Sequence, residues 1–275
     1  MHMHLFAALL ATASVTAGPD LSSLPTQQRS IFDAVAADEF CGCDSALTLK
    51  GCLMERPSCA LAQDASEVLK NLVRTGAPKQ AVASFMSQAV MGPYCSLPQE
   101  VDISGAPRQG SAQAPVQVIE MADFRCLHCR HAVPVVHQAL EALGPQVSLV
   151  YMPIVLQPNS PSQLAAEAAM AAHAQGKFWP MHRALFAHEA GEYTPDVVRN
   201  IARQVGLNMK RYDKEMAEHT HAPILAAFME RFFKAGLEGT PAFFVNGRRT
   251  EMEPTVYPLK ARLQMELDRN TGNCK

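Results

Sequence analysis

Apolar residues recur along the chain with two periods. Short, nearly continuous apolar runs at Val116 to Ala122, Val147 to Met152 and Ala242 to Asn246 read as buried strands. Helical stripes occupy other stretches: Leu61, Ala65, Val68, Leu69 and Leu72 within Ala60 to Arg74, which stops at Gly76, and Ala81, Val82, Phe85, Met86 and Ala89 within Pro78 to Met91. A helix from about Thr26 to Asp38 precedes them, and an amphipathic stretch follows the first strand up to Leu143. Further helices are expected over about 161–175, 177–188, 194–205, 209–217 and 221–236, then a short strand at Arg248 to Thr250 and a last helix from about Glu253 to Asn270. Between the two regions, Leu97 to Pro115 carries Pro98, Gly105, Pro107, Gly110 and Pro115 and reads as linker, with Val101 to Ile103 as a possible edge strand. Strand, helix, strand, helical insertion, hairpin and helix is an α/β order around one mixed sheet, preceded by a small all-α, cysteine-rich unit.

The first residues change the compartment expected. Leu5 to Val15 is apolar and ends in Val15-Thr16-Ala17 before Gly18-Pro19, which suits a cleaved export signal over residues 1–17, cut after Ala17. Its start, Met1-His2-Met3-His4, lacks the usual Lys or Arg. Eight cysteines agree with an oxidising compartment, where they form disulfides, and the periplasm is the expected location. The remaining organisation is then a cysteine-rich helical domain over 20–96, a linker over 97–115, and an α/β domain over 116–275 whose insertion covers about 160–237. With 48% hydrophobic and 18% charged residues the chain is globular, and a net charge of −2 with scattered Lys and Arg argues against a nucleic-acid partner.

The candidate chemistry centres on Cys126-Leu127-His128-Cys129, at a strand-to-helix junction. A helix N-terminus offers unpaired N–H groups and partial positive charge, which favour Cys126 as a thiolate nucleophile, and Cys129 is near enough to resolve a mixed disulfide. The same spacing also suits half of a zinc site or an inert bridge. His128, when protonated, would add positive charge beside the Cys126 sulfur. Thr240-Pro241 opens an apolar strand far downstream; a cis turn facing Cys126 would expose the Thr240 backbone to a substrate peptide. Glu120, on an otherwise apolar strand, would have a raised pKa if buried and could exchange a proton with Cys129; at an exposed strand end it would merely be solvated. Asp123 suits a turn or helix cap.

Three stretches together resemble the DsbA family of thioredoxin-fold oxidoreductases: Met121 to Arg130, Gly176-Lys177-Phe178-Trp179-Pro180-Met181-His182, and Gly239 to Gly247. The likeness extends over roughly 101 to 270. It implies a thioredoxin-like fold with a helical insertion, a cis Pro241 and periplasmic thiol–disulfide exchange, with Cys126 as nucleophile, Cys129 as resolving cysteine and Glu120 as buried acid. It requires no cofactor or metal at this site. Two departures bear on redox direction. Leu127 stands where DsbA itself has proline, and Thr240 is the residue more typical of isomerase and reductase relatives.

An oxidase acting on unfolded or partly folded exported proteins with free cysteines, recharged by a membrane redox partner, is the first functional reading. A disulfide isomerase or reductase is the second, and an exported metal-binding protein using the N-terminal cysteines the third. Cys41, Cys43, Cys52, Cys59, Cys95 and Cys274 allow fifteen pairings, among them staples, a relay to the Cys126 pair, or soft metal ligands; one candidate pair is Cys95 with Cys274. The oligomeric state is open. His131, His137, His182, His188, His219 and His221 show no metal-ligand spacing and read as surface residues.

Overall fold

The computed structural model describes residues 18–39, 41–44, 46–87, 98–188 and 193–250, together with 259, 262, 263, 266 and 267; the side chains of 60, 61 and 64 are excepted. The expected export signal, both Cys95 and Cys274, and most of the expected C-terminal helix lie outside these residues. No helix among the described residues is long and apolar enough to cross a membrane.

Among the described residues four helices come first: α1 (Thr26–Asp38), α2 (Leu49–Glu55), α3 (Ala60–Arg74) and α4 (Lys79–Phe85). Each turns a stripe inward, so Phe32, Val35, Leu49, Leu53, Ala65, Val68, Leu69 and Val82 share one core. A core this small is weak without cross-links. Two disulfides supply them, Cys41–Cys52 and Cys43–Cys59. Sulfurs bonded to one another are not free thiolate ligands, so this pairing favours staples over a resident metal site. Helix α2 is not foreshadowed by periodicity, because seven residues interrupted by Gly51 give too short a stripe; Thr48 caps it by accepting the Gly51 N–H at 3.1 Å.

The rest folds around a five-stranded sheet of β1 (Arg108–Gln109), β2 (Val116–Ala122), β3 (Val147–Pro153), β4 (Ala242–Val245) and β5 (Arg248–Thr250), in the order β1-β3-β2-β4-β5. β2 and β3 run parallel, with the other neighbours antiparallel. Helix α5 (Leu127–Leu143) connects the parallel pair. Five insertion helices lie between β3 and β4: α6 (Pro161–His173), α7 (Phe178–Ala187), α8 (Pro195–Gln204), α9 (Met209–Ala217) and α10 (Ala222–Lys234). Strands covered on both faces read as continuous apolar runs, and alternate residues of β2 do go to opposite sides. Val116 and Val118 pack with Ala132, Val136 and Ala139 of α5 and with Leu259 and Leu263, whereas Ile119 and Met121 face the insertion. This is the thioredoxin-like α/β fold with a helical insertion that the motifs imply.

The edge strand differs from expectation. Residues 101–103 form no strand; Asp102 instead accepts the Ser104 N–H at 2.9 Å and pairs with Arg231 of α10 at 2.7 Å. A side chain that closes a local turn and an ion pair competes with the ladder. The edge position is taken by Arg108–Gln109, paired with Val150 and Leu149.

Candidate active site

β2 ends at Ala122, and the chain turns tightly through Asp123. Its carboxylate accepts the Arg125 N–H at 2.8 Å and its carbonyl accepts the Cys126 N–H at 3.1 Å. That turn puts Cys126 at the N-cap of α5, where its sulfur accepts the Cys129 N–H at 3.3 Å. A 17-residue helix thus directs its positive end at one half-buried thiol. Cys129, one turn in, is fully buried.

From the other side comes the loop before β4. The Thr240–Pro241 peptide is cis, and the Thr240 carbonyl accepts from the Cys126 thiol at 3.2 Å. Antiparallel pairing of β4 on β2, with Met121 opposite Ala242 and Glu120 opposite Phe243, carries this loop to the site.

These contacts separate the two thiols. Cys126 is lowered to about 5, chiefly by a hydrogen bond from the Cys129 thiol, with burial opposing and with the Thr240 side chain and the N–H groups of Cys129 and His128 adding to it. Cys129 is pushed far up by burial and by the neighbouring Cys126 sulfur. At neutral pH the pair therefore holds one thiolate, at the accessible position, and one thiol, at the buried one. His128 acts here through its backbone N–H, while its side chain is exposed.

Glu120 is 1% exposed and one of its carboxylate oxygens has no hydrogen-bond partner among the described residues. Burial alone raises its pKa to about 8, so the carboxyl is mostly protonated at neutral pH. Parallel register sets it beside Tyr151 of β3. The charges of Glu120 and Cys129 both add to the burial that raises the Tyr151 pKa, so Tyr151 neighbours the acid and the buried thiol alike.

The insertion holds this arrangement in place. Arg130, next to Cys129, donates to the carbonyls of Phe186 and His188. The Tyr193 hydroxyl lies 3.2 Å from the Phe124 carbonyl and 2.9 Å from that of Leu185, and Trp179 donates to the Arg108 carbonyl at 3.1 Å. Inside sits His182, which is buried, not on the surface as its sequence context suggests. Its ring meets Phe124, Tyr151, Phe178, Trp179 and Phe186, with the Tyr151 centroid 4.6 Å away. Neither ring nitrogen has a partner among the described residues, and burial lowers its pKa to about 3.

The structure thus brings Cys126, Cys129, Thr240 and Pro241 together, while Glu120 is buried in β2 between Tyr151 and Phe243 of the neighbouring strands. Tyr151, Arg130 and His182 were missed as site residues. Tyr151 was within reach of sequence reasoning, since in-register parallel strands set it beside Glu120; the one signal for His182 is its place at the end of the Gly176 to His182 motif, since its spacing does not set it apart from the other histidines.

The family model described as thioredoxin matches residues 103–264. Among solved structures, a thioredoxin-like oxidoreductase from Silicibacter pomeroyi is 31% identical, covering 62% of this chain and 94% of its own, with a TM-score of 0.51. BdbD from Bacillus subtilis, in its oxidised form, is 21% identical over 63% of this chain and 98% of its own, with a TM-score of 0.57, and shares the fold. Among curated proteins, the Na(+)/H(+) antiporter NhaA 1 of Salinispora arenicola is 37% identical over 154 residues, which make up 56% of this chain but 23% of the antiporter. The chain spans under a quarter of the length of such curated relatives. With its thiol pair at the start of α5 and its insertion between β3 and β4, the chain belongs to the thioredoxin family.

Proposed function

We propose that the protein is a periplasmic thiol–disulfide oxidase that donates the Cys126–Cys129 disulfide to exported proteins. The observation that carries this reading is the asymmetry of the pair, with Cys126 lowered to about 5 and Cys129 raised. A low nucleophile pKa stabilises the reduced form, and a stable reduced form makes the disulfide a stronger oxidant.

A substrate thiolate attacks the accessible Cys126 sulfur; the Cys126–Cys129 bond breaks and its electrons go to Cys129. That sulfur requires a proton, and the protonated Glu120 carboxyl supplies it. A second substrate thiolate then attacks the substrate sulfur of the mixed disulfide. The substrate leaves oxidised, and Cys126 leaves as the thiolate that the helix start stabilises. The Thr240 backbone pairs with the substrate segment, and Leu127, 54% exposed beside Cys126, offers an apolar contact to unfolded chain. His128, when protonated, adds positive charge near the departing thiolate.

In this reading, residues 1–17 export the chain and are removed after Ala17. Residues 20–96 form a disulfide-stapled helical domain, 97–115 a linker with an edge strand, and 116–275 the catalytic domain, its insertion spanning about 160–237. Substrates are unfolded or partly folded exported proteins with free cysteines, and a membrane redox partner reoxidises the pair. An isomerase or reductase is the second reading, favoured by threonine before the cis proline. The redox state in cells decides between them. A resting protein with Cys126–Cys129 oxidised supports the oxidase, and one held reduced supports the alternative.

A further inference from the structure

The two disulfides of the N-terminal helices lie against each other. The sulfurs of Cys41, Cys52 and Cys59 are all within 4.8 Å of one another, although Cys59 is bonded to Cys43 and Cys41 to Cys52. A thiolate formed at Cys59 is therefore a small side-chain movement from the neighbouring disulfide.

The four sulfurs are not equivalent. Cys43 is half-buried, whereas Cys41, Cys52 and Cys59 are between 0% and 4% exposed, so an external thiol enters at Cys43. Cys59 is the N-cap of the 15-residue α3, and its sulfur accepts the Ala62 N–H at 3.3 Å. Cys126 stands in the same relation to α5, accepting the Cys129 N–H at 3.3 Å. Cys41 accepts the Cys43 N–H, also at 3.3 Å. Sulfurs hydrogen-bonded by amides are the better leaving thiolates, and faster leaving favours exchange at their partners.

We propose that these cysteines form a second redox site, a two-disulfide exchange relay that takes two electrons from an external dithiol. One thiolate of the dithiol attacks Cys43; the new bond displaces Cys59 as a thiolate. Cys59 attacks Cys52, forming Cys52–Cys59 and displacing Cys41, whose charge the Cys43 N–H receives. The second thiol of the dithiol then attacks its own first sulfur and leaves as a disulfide, releasing Cys43. Two electrons and two protons end on Cys41 and Cys43, and one disulfide, Cys52–Cys59, remains. The relay is independent of the chemistry at Cys126.

Stoichiometric reduction tests it. The full chain carrying Cys126→Ser and Cys129→Ser is treated with up to one equivalent of dithiothreitol, quenched with iodoacetamide and digested with trypsin. Alkylation of Cys41 and Cys43, with an internal Cys52–Cys59 disulfide, is the expected product; cleavage after Lys50 separates these two halves. Alkylation of Cys43 and Cys59 with the Cys41–Cys52 cross-link intact would overturn the relay, as would any other first pair among these four cysteines. Resistance of all four cysteines until denaturant is added would equally overturn it. Should the double variant fail to fold, the unmodified protein with a second equivalent, one being taken up by Cys126–Cys129, gives the same reading.

Discussion

The Cys126 sulfur lies 3.2 Å from the carbonyl oxygen of Thr240, a residue 114 positions downstream. This contact depends on β4 pairing beside β2, which brings the cis Thr240–Pro241 loop to the start of α5. It also sets the local balance. The carbonyl accepts only from the protonated thiol, whereas the Cys129 thiol, and after it the amides of α5, favour the thiolate. The donors prevail, since the Cys126 pKa is lowered overall.

A lowered Cys126 predicts a thiolate titration with a midpoint near pH 5 in the reduced protein, measured by ultraviolet absorbance or by the rate of alkylation. The linked stability has a definite sign. With the folded pKa depressed from 9.0 to about 5, the contribution is complete above about pH 9 and is lost as pH falls through 5. A midpoint near 9 would show that neither the Cys129 thiol nor the amides of α5 stabilise the thiolate.

Removing either sulfur separates their roles. Cys126→Ser abolishes exchange, and Cys129→Ser leaves substrates trapped on Cys126 as mixed disulfides, visible on non-reducing gels with a peptide dithiol. Normal turnover by the Cys126→Ser protein would exclude Cys126 as the nucleophile.

Glu120→Gln is expected to slow the exchange step by about a hundredfold, the usual scale of a positioned acid or base. Stability shifts as well. A carboxyl raised from 4.5 to about 8 favours the folded state fully below pH 4.5, and that advantage disappears as pH rises through 8. Denaturant melts should show this loss in the native protein and little of it in Glu120→Gln. Parallel pH profiles for the two proteins would rule out a buried, titrating Glu120.

His182 gives acid lability of the opposite cause. Its pKa falls from 6.5 to about 3 on folding, so stability is full above about pH 6.5 and declines toward pH 3, on the order of several kcal/mol in all. His182→Phe, which suits the surrounding rings, should be less acid-sensitive between those values in urea melts. A variant as acid-sensitive as the parent would place the effect elsewhere.

Much of the fold was legible because buried strands and amphipathic helices impose different periods. The insertion helices and the run Val116 to Ala122 fall within a few residues of their expected limits for that reason. Elements set by side-chain competition were not legible. Asp102 is drawn into a turn and an ion pair instead of a strand, and α2 is too short to show a stripe. At the site, Cys126, Cys129 and Thr240-Pro241 carry recognisable spacing. His182 does not, because its burial arises from five aromatic side chains drawn from β3, α7 and the Phe124 turn.

The most direct measurement is the reduction potential of the Cys126–Cys129 pair, determined by equilibration with glutathione. The oxidase reading predicts a value well above the about −270 mV of thioredoxin, toward the about −120 mV of DsbA. A potential at or below that of thioredoxin would contradict it.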